Sequence, residues 1–296
     1  MRKSYGTAGY VFDSFNYLLL ALLGIATLYP FLNLFAVSLN DPMDTIRGQV
    51  YVWPNAFTWN NYLIVFQNDG LLGATLRSVV RTLAGTFLSV ACTAMLAFTL
   101  SRREYVLRKW LNFILIISMY VSGGIIPGYL LIKSLGMTNS FWVYIIPGLI
   151  SVYNALIIRS YFDSLPEGLM ESAKIDGASD LQLFYRIAIP CSLPVLATVT
   201  LFVSVGHWNA WFDNYLYNTR PNLSLLQYEL MKILIQSTSQ VTSNATGYVD
   251  KEVLRATTPQ SIRATMTIIV TLPILFVYPF MQRFFIKGIM VGSMKE

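Results

Sequence analysis

The chain is predicted to be an all-α membrane protein with about six transmembrane helices. Three observations lead there. Of 296 residues, 55% are hydrophobic and only 12% are charged, where a soluble domain carries about 25% charged residues. The apolar residues gather into runs of roughly 20 or more, enough for a helix to cross a ~30 Å hydrocarbon layer. The polar stretches between them are rich in turn formers, and three of them are long, at 40–72, 165–190 and 213–262. The formal net charge of +6 fits an excess of Lys and Arg on cytoplasmic loops better than a nucleic-acid surface. Cys92 and Cys191 fall in or beside apolar runs and make neither a disulfide framework nor a zinc site.

Residues 1–14 are polar and hold Arg2 and Lys3. The first span covers about 15–39, too long for a signal peptide, and Pro30 predicts a kink in it. Residues 40–72 form a turn-rich outer segment, including Asn68-Asp69-Gly70. The second span covers about 79–100, with Arg77 and Arg81 at its outer end, in snorkelling reach of water. Arg102, Arg103, Arg108 and Lys109 then mark a cytoplasmic loop around Glu104. The third span, about 110–132, contains Ser122-Gly123-Gly124 and Pro127. These predict close helix packing, a kink, or an unwound stretch beside a cavity. The fourth, fifth and sixth spans cover about 140–160, 192–212 and 263–285. Twelve of the 21 Lys and Arg fall on the side of the termini, which places both termini in the cytoplasm.

The 165–190 loop reads as two short helices joined at Gly177. Ser164 with Glu167, and Ser179 with Gln182, have the spacing of capping boxes. Leu165, Leu169, Met170 and Ala173 share one face of the first helix; Glu167, Glu171 and Lys174 share the other. Leu181, Phe184, Tyr185 and Ala188 make a second stripe, which Pro190 is expected to end. The first apolar face needs a cover: lipid, its own domain, or a groove on a partner.

No G-x-x-x-x-G-K-[ST] loop exists, since no glycine precedes a lysine, and a single histidine excludes a multi-histidine metal site. The chain is therefore not expected to be an enzyme. Near the outer end of span five, His207, Trp208, Asn209, Trp211 and Asp213 combine aromatic faces with hydrogen-bonding groups. That composition suits a sugar, and equally an interfacial aromatic belt. Tyr120, Tyr153 and Asn154 lie within spans three and four, facing either the bundle or a pathway. Spans one, three, four and six lack ionisable groups in mid-membrane, which argues against a proton- or sodium-coupled carrier.

One spacing is more specific. Glu171-Ser172-Ala173, three residues, Gly177, nine residues, then Ile187-Ala188-Ile189-Pro190 resembles the E-A-A loop motif of the permease subunits of bacterial ABC importers. Two positions differ from the motif, Ser172 for Ala and Ile189 for Leu. Leu28-Tyr29-Pro30, the 122–127 stretch, the 208–213 cluster and Lys287-Gly288-Ile289-Met290 are similar to the carbohydrate branch. The resemblance implies a type I importer permease fold, divided into 1–72 (first helix and outer loop), a core domain over 73–286, and a cytoplasmic tail over 287–296. It implies a coupling helix carrying Leu169, Met170, Glu171, Ser172, Ala173, Asp176 and Gly177. It implies two ATPase subunits that hold the ATP and Mg, with no cofactor on this chain. A second permease, an extracytoplasmic solute-binding protein and a carbohydrate substrate complete the system in the bacterial inner membrane. A permease for peptide or another polar solute, and an ATP-independent carrier, remain the alternatives.

Overall fold

The computed structural model describes residues 7–48, 50–67, 69–243 and 258–293. Helices dominate. Among the described residues the only β pairing is an isolated bridge between Asn40 and Phe57. The chain divides into two compact units, one of residues 1–69 with 232–271, the other of residues 70–231 with 272–296.

In the first unit, α1 (Thr7–Ser38) runs unbroken through Pro30. The segment after it is locked by buried amides rather than left as loose turns. Asn40 Nδ2 donates to Asp44 Oδ2 and Thr45 Oγ1, each at 3.0 Å, and its Oδ1 accepts from Ala56 N at 2.9 Å. Asn61 Nδ2 donates to the carbonyls of Ser38 and Asn40. Asp41 caps α2 (Pro42–Ile46), and α3 (Asn60–Phe66) follows.

The second unit is built on α4 (Asp69–Ser101). It starts well before the expected second span and absorbs the turn foreseen at 69–70; Asn68 lies outside the described residues. Buried Leu71 and Ala74 explain the extension, because packing overrides the local turn signal. Its 33 residues extend about 50 Å, beyond a ~30 Å hydrocarbon layer.

The third apolar run is not one straight crossing. α5 (Arg108–Tyr120) and α6 (Ile125–Ser134) meet at an angle of 118°. Two 3₁₀ turns (Phe141–Tyr144 and Ile146–Gly148) lead into α7 (Val152–Asp163), with a bend of 48°. The loop supplies α8 (Glu167–Ile175) and α9 (Asp180–Leu183). Pro190 does not stop the second helix. A π turn over Phe184–Ala188 carries the chain into α10 (Ile189–Cys191), which holds Pro190. The direction changes at Ser192, by 84°, into α11 (Leu193–Asn209). Then come α12 (Phe212–Tyr217) and α13 (Leu226–Ser243). The 213–262 segment is thus partly helical and partly core, since Leu225 and Leu226 are buried. α14 (Pro259–Ser293) closes the chain. Among the described residues, three single helices and three bent pairs are long and apolar enough to cross a membrane.

Candidate functional site

Two places in the second unit hold most of the residues singled out by the sequence. The first is the 165–190 loop. Met170 is 5% exposed and sits in one cluster with Ala94, Ala97 and Phe98 of α4, Phe162 of α7, and Leu183 and Phe184. Leu165, Ala173 and Ala178 pack against that cluster. Of the three covers considered for the apolar face, its own domain takes this side. Leu169, Glu171, Ser172, Asp176 and Gly177 stay exposed, and Ile175 is 86% exposed. α8 is therefore seated in the chain on one side and leaves Leu169 and Ile175 exposed.

Local chemistry explains its shape. Gly177 adopts φ +82°, a left-handed conformation natural to glycine at a helix end. Ala178 N reaches back to Ala173 O at 2.9 Å, and Gly177 N to Lys174 O at 3.0 Å. The Ser179/Gln182 capping box forms as its spacing predicts. The Ser164/Glu167 box does not. Ser164 ends α7, its Oγ donating to Tyr161 O at 2.7 Å, and Pro166 starts α8 without a side-chain cap.

The polar edge of α8 is tied to the 102–107 turn, a contact that sequence reasoning missed. Lys174 Nζ donates to Glu104 Oε2 at 2.6 Å, and Arg103 pairs with Glu167 at 3.0 Å. The hydrogen bond from Lys174, reinforced by its charge, lowers the pKa of the Glu104 carboxyl. Arg102 lies 4.6 Å from the Phe98 ring centre, and its burial lowers its own pKa. Beneath the helix these groups enclose a cavity of about 340 Å³.

The second place is the far end of the same unit, where α4, α11 and α12 meet. Arg81 does not snorkel to water. It is 3% exposed, pairs with Asp213, donates to Ala210 O at 3.0 Å and lies 4.9 Å from the Tyr144 ring centre. Tyr144 donates to Leu223 O at 2.8 Å, and Leu226 N donates to Ser78 Oγ at 2.9 Å. Trp208 is 8% exposed, so in this fold it is a core residue and not part of an interfacial belt. His207 is half-buried against α4. A Cβ added at Gly85 would lie 2.8 Å from its Cε1 and Nε2. Gly85→Ala should therefore cost about 1–3 kcal/mol through overpacking, read as a lower melting point in detergent. Adding His207→Ala should recover part of that loss, which strain remote from the ring would not allow.

Asp213 is thus consumed by Arg81, whereas Asn209 remains exposed and Trp211 half-exposed. Tyr120 and Tyr153 are not brought into this cluster's core. They lie on the exposed surface of α5 and α7, two helices in contact with each other, and Asn154 is buried. Arg81, expected at the water-facing end of its span, is instead tied to Asp213 through a contact 132 positions away. Among the described residues no cluster of His, Cys, Asp and Glu could hold a metal ion.

Comparison with known proteins places this architecture. LplC of Bacillus subtilis is 39% identical over 289 residues, 97% of this chain and 96% of LplC. The polygalacturonan/rhamnogalacturonan transport system permease protein YtcP of Bacillus subtilis is 34% identical over 286 residues, 96% of this chain and 98% of YtcP. In fold, the chain resembles a subunit of a bacterial ABC transporter involved in the import of the acidic polysaccharide alginate. The TM-score is 0.85 at 24% identity, over 95% of this chain and 99% of that one. Residues 70–291 match the family model described as binding-protein-dependent transport system inner membrane component. With most of its length inside that model and relatives that match it nearly end to end, the chain belongs to the family of inner membrane components of binding-protein-dependent transport systems.

Proposed function

We propose that the chain is a permease subunit of an ATP-driven importer for an oligosaccharide or other carbohydrate, and that α8 is its coupling helix. The observation that carries the coupling reading is the seat of α8. One side is fixed in the chain's own core through Met170, while Leu169 and Ile175, about 120° apart round the helix, both remain exposed. Exposed apolar side chains on a short, well-anchored helix suit a groove on a second protein. ATPase subunits would supply that groove and hold the ATP and Mg, since this chain has no phosphate-binding loop. Carbohydrate as cargo is supported by the relative YtcP, a polygalacturonan/rhamnogalacturonan transport system permease protein. A second permease and an extracytoplasmic binding protein complete the assembly, with both termini in the cytoplasm. The substrate-path candidates are Tyr120, Tyr153, Asn154, His207, Trp208, Asn209, Trp211 and Asp213. Their burial favours Tyr120, Tyr153, Asn209 and Trp211 as contacts, and His207, Trp208 and Asp213 as supports. The expected tail over 287–296 falls partly outside the described residues.

Gly177→Val tests the coupling role. Nothing lies within 4 Å of a Cβ at Gly177, so the effect is purely one of backbone conformation. A non-glycine residue held left-handed costs about 1–2 kcal/mol, enough to reshape the turn without unfolding the bundle. The variant should insert and assemble as the wild type does, while solute-stimulated ATP hydrolysis no longer drives uptake in vesicles. Unchanged uptake would return α8 to a purely structural role.

A further inference from the structure

α5 and α6 are separated by four residues, Val121–Gly124, that belong to no helix. α5 has 13 residues and begins at the cationic pair Arg108-Lys109. At 1.5 Å per residue Tyr120 can be at most about 18 Å from that charged end, and tilting only shortens the depth reached. Arg108 itself is held near Asp163, at 3.9 Å, at the end of α7. With that end at one interface of a ~30 Å hydrocarbon layer, the break lies inside the membrane.

The backbone there is under-bonded for such a depth. Gly124 N donates to Ser122 Oγ at 3.3 Å and Val121 N to Ile117 O at 3.0 Å. Within the chain, among the described residues, no hydrogen bond takes up the N–H groups of Ser122 and Gly123 or the carbonyls of Val121, Ser122 and Gly123. The cause is in the sequence. Gly124 takes φ +85°, which points the chain away from a continuous helix. Pro127 lacks the N–H that would have reached the Gly123 carbonyl. Nor does the chain bury the break: Val121, Ser122, Gly123 and Gly124 are exposed, and Tyr120 is 84% exposed. Free peptide groups at membrane depth are tolerated only where they meet water or other protein, never lipid.

We propose that the 121–124 break lines the solvent-filled translocation path and offers its peptide groups, with the Tyr120 ring beside them, to a hydroxyl-rich solute. Alternating free N–H and C=O groups match hydroxyls, which donate and accept. An aromatic ring matches the apolar face of a sugar. This rests on the permease reading above and adds to it a specific wall of the path.

The test is cysteine accessibility in the complex co-purified with its partner subunits and reconstituted in nanodiscs. Cys92→Ser and Cys191→Ser remove the native thiols. Ser122→Cys, with Tyr120→Cys as a second variant should the first not assemble, is then exposed to the charged thiol reagent MTSET. Leu18→Cys on the apolar surface of α1 is the reference. A thiol in water reacts as thiolate, and one in hydrocarbon hardly at all, so labelling roughly tenfold above the reference is expected. Trapping with ATP and vanadate should change the rate several-fold as the path reorganises. Labelling no faster than the reference overturns the proposal, meaning that a partner subunit covers the break. Fast labelling that ignores trapping also overturns it, marking a static crevice. ATP hydrolysis by the same preparation separates these outcomes: without it the coupled-permease reading fails, and the labelling rate alone decides whether the break meets water.

Discussion

Asp213→Ala is expected to destabilise the protein by about 3–5 kcal/mol, the cost of leaving a buried charge without its partner. Arg81 is almost wholly buried, and Asp213 is its only anionic partner among the described residues. What remains after the substitution is one carbonyl, Ala210 O at 3.0 Å, and the Tyr144 ring face. Neither supplies the negative charge that a buried guanidinium needs. The loss should appear as a lowered unfolding midpoint in detergent. Replacing the pair together, Arg81→Met with Asp213→Leu, should recover most of it, because removing both charges also removes both desolvation penalties. If Asp213→Ala alone melts within about 1 kcal/mol of wild type, water reaches Arg81 and the buried-pair account is wrong. The pair also bears on function. It joins α4 to α12 beside the exposed Asn209 and half-exposed Trp211, so its loss should blur any contact those residues make.

Arg81 also shows where sequence reading runs out. Its position in the chain placed it at the outer end of a span, and a long cationic side chain there ordinarily reaches water. Whether it does depends on what stands between it and water, and Asp213 comes 132 positions later. No local pattern carries that information. The 165–190 loop was legible for the opposite reason. Its glycine, its second capping box and its apolar stripe are all read within four residues of one another, so local chemistry decides them. The first capping box failed on the same principle. Ser164 had a closer use, closing α7 onto Tyr161 O, and the two roles cannot be filled at once. The spans were legible because lipid forces helix on any long apolar run. The 118° turn was only half legible: the two glycines and the proline marked a possible break, but nothing local fixes the angle. Trp208 was ambiguous on residue type alone and was decided by packing.

Phe162→Ala should remove about 3–5 kcal/mol of packing energy and should also loosen the loop that Phe162 supports. Phe162 is 1% exposed and stands edge-on to Phe98, with ring centres 5.9 Å apart. Around it are gathered Ala94 and Ala97 from α4, Ile158 from α7, Met170 from α8, Leu183 and Phe184 beyond the glycine turn, and Val199 from α11. A cavity in that position strips contacts from both helices of the loop at once. The ion pairs on the polar edge cannot compensate. Arg103 and Glu167 are largely exposed, and pairs of that kind contribute less than about 1 kcal/mol. The apolar seat, not the salt bridges, therefore holds α8. Two measurements separate this from simple unfolding. Amide exchange across α8 should quicken more than exchange across α4, and transport per ATP hydrolysed should fall further than the folded fraction does. Phe162→Leu fills most of the space and should keep the cost under about 1.5 kcal/mol, with coupling largely intact. If Phe162→Ala leaves α8 exchange unchanged while coupling collapses, the loop is driven through its exposed side chains alone. The seat on α4 and α7 would then be incidental to force transmission.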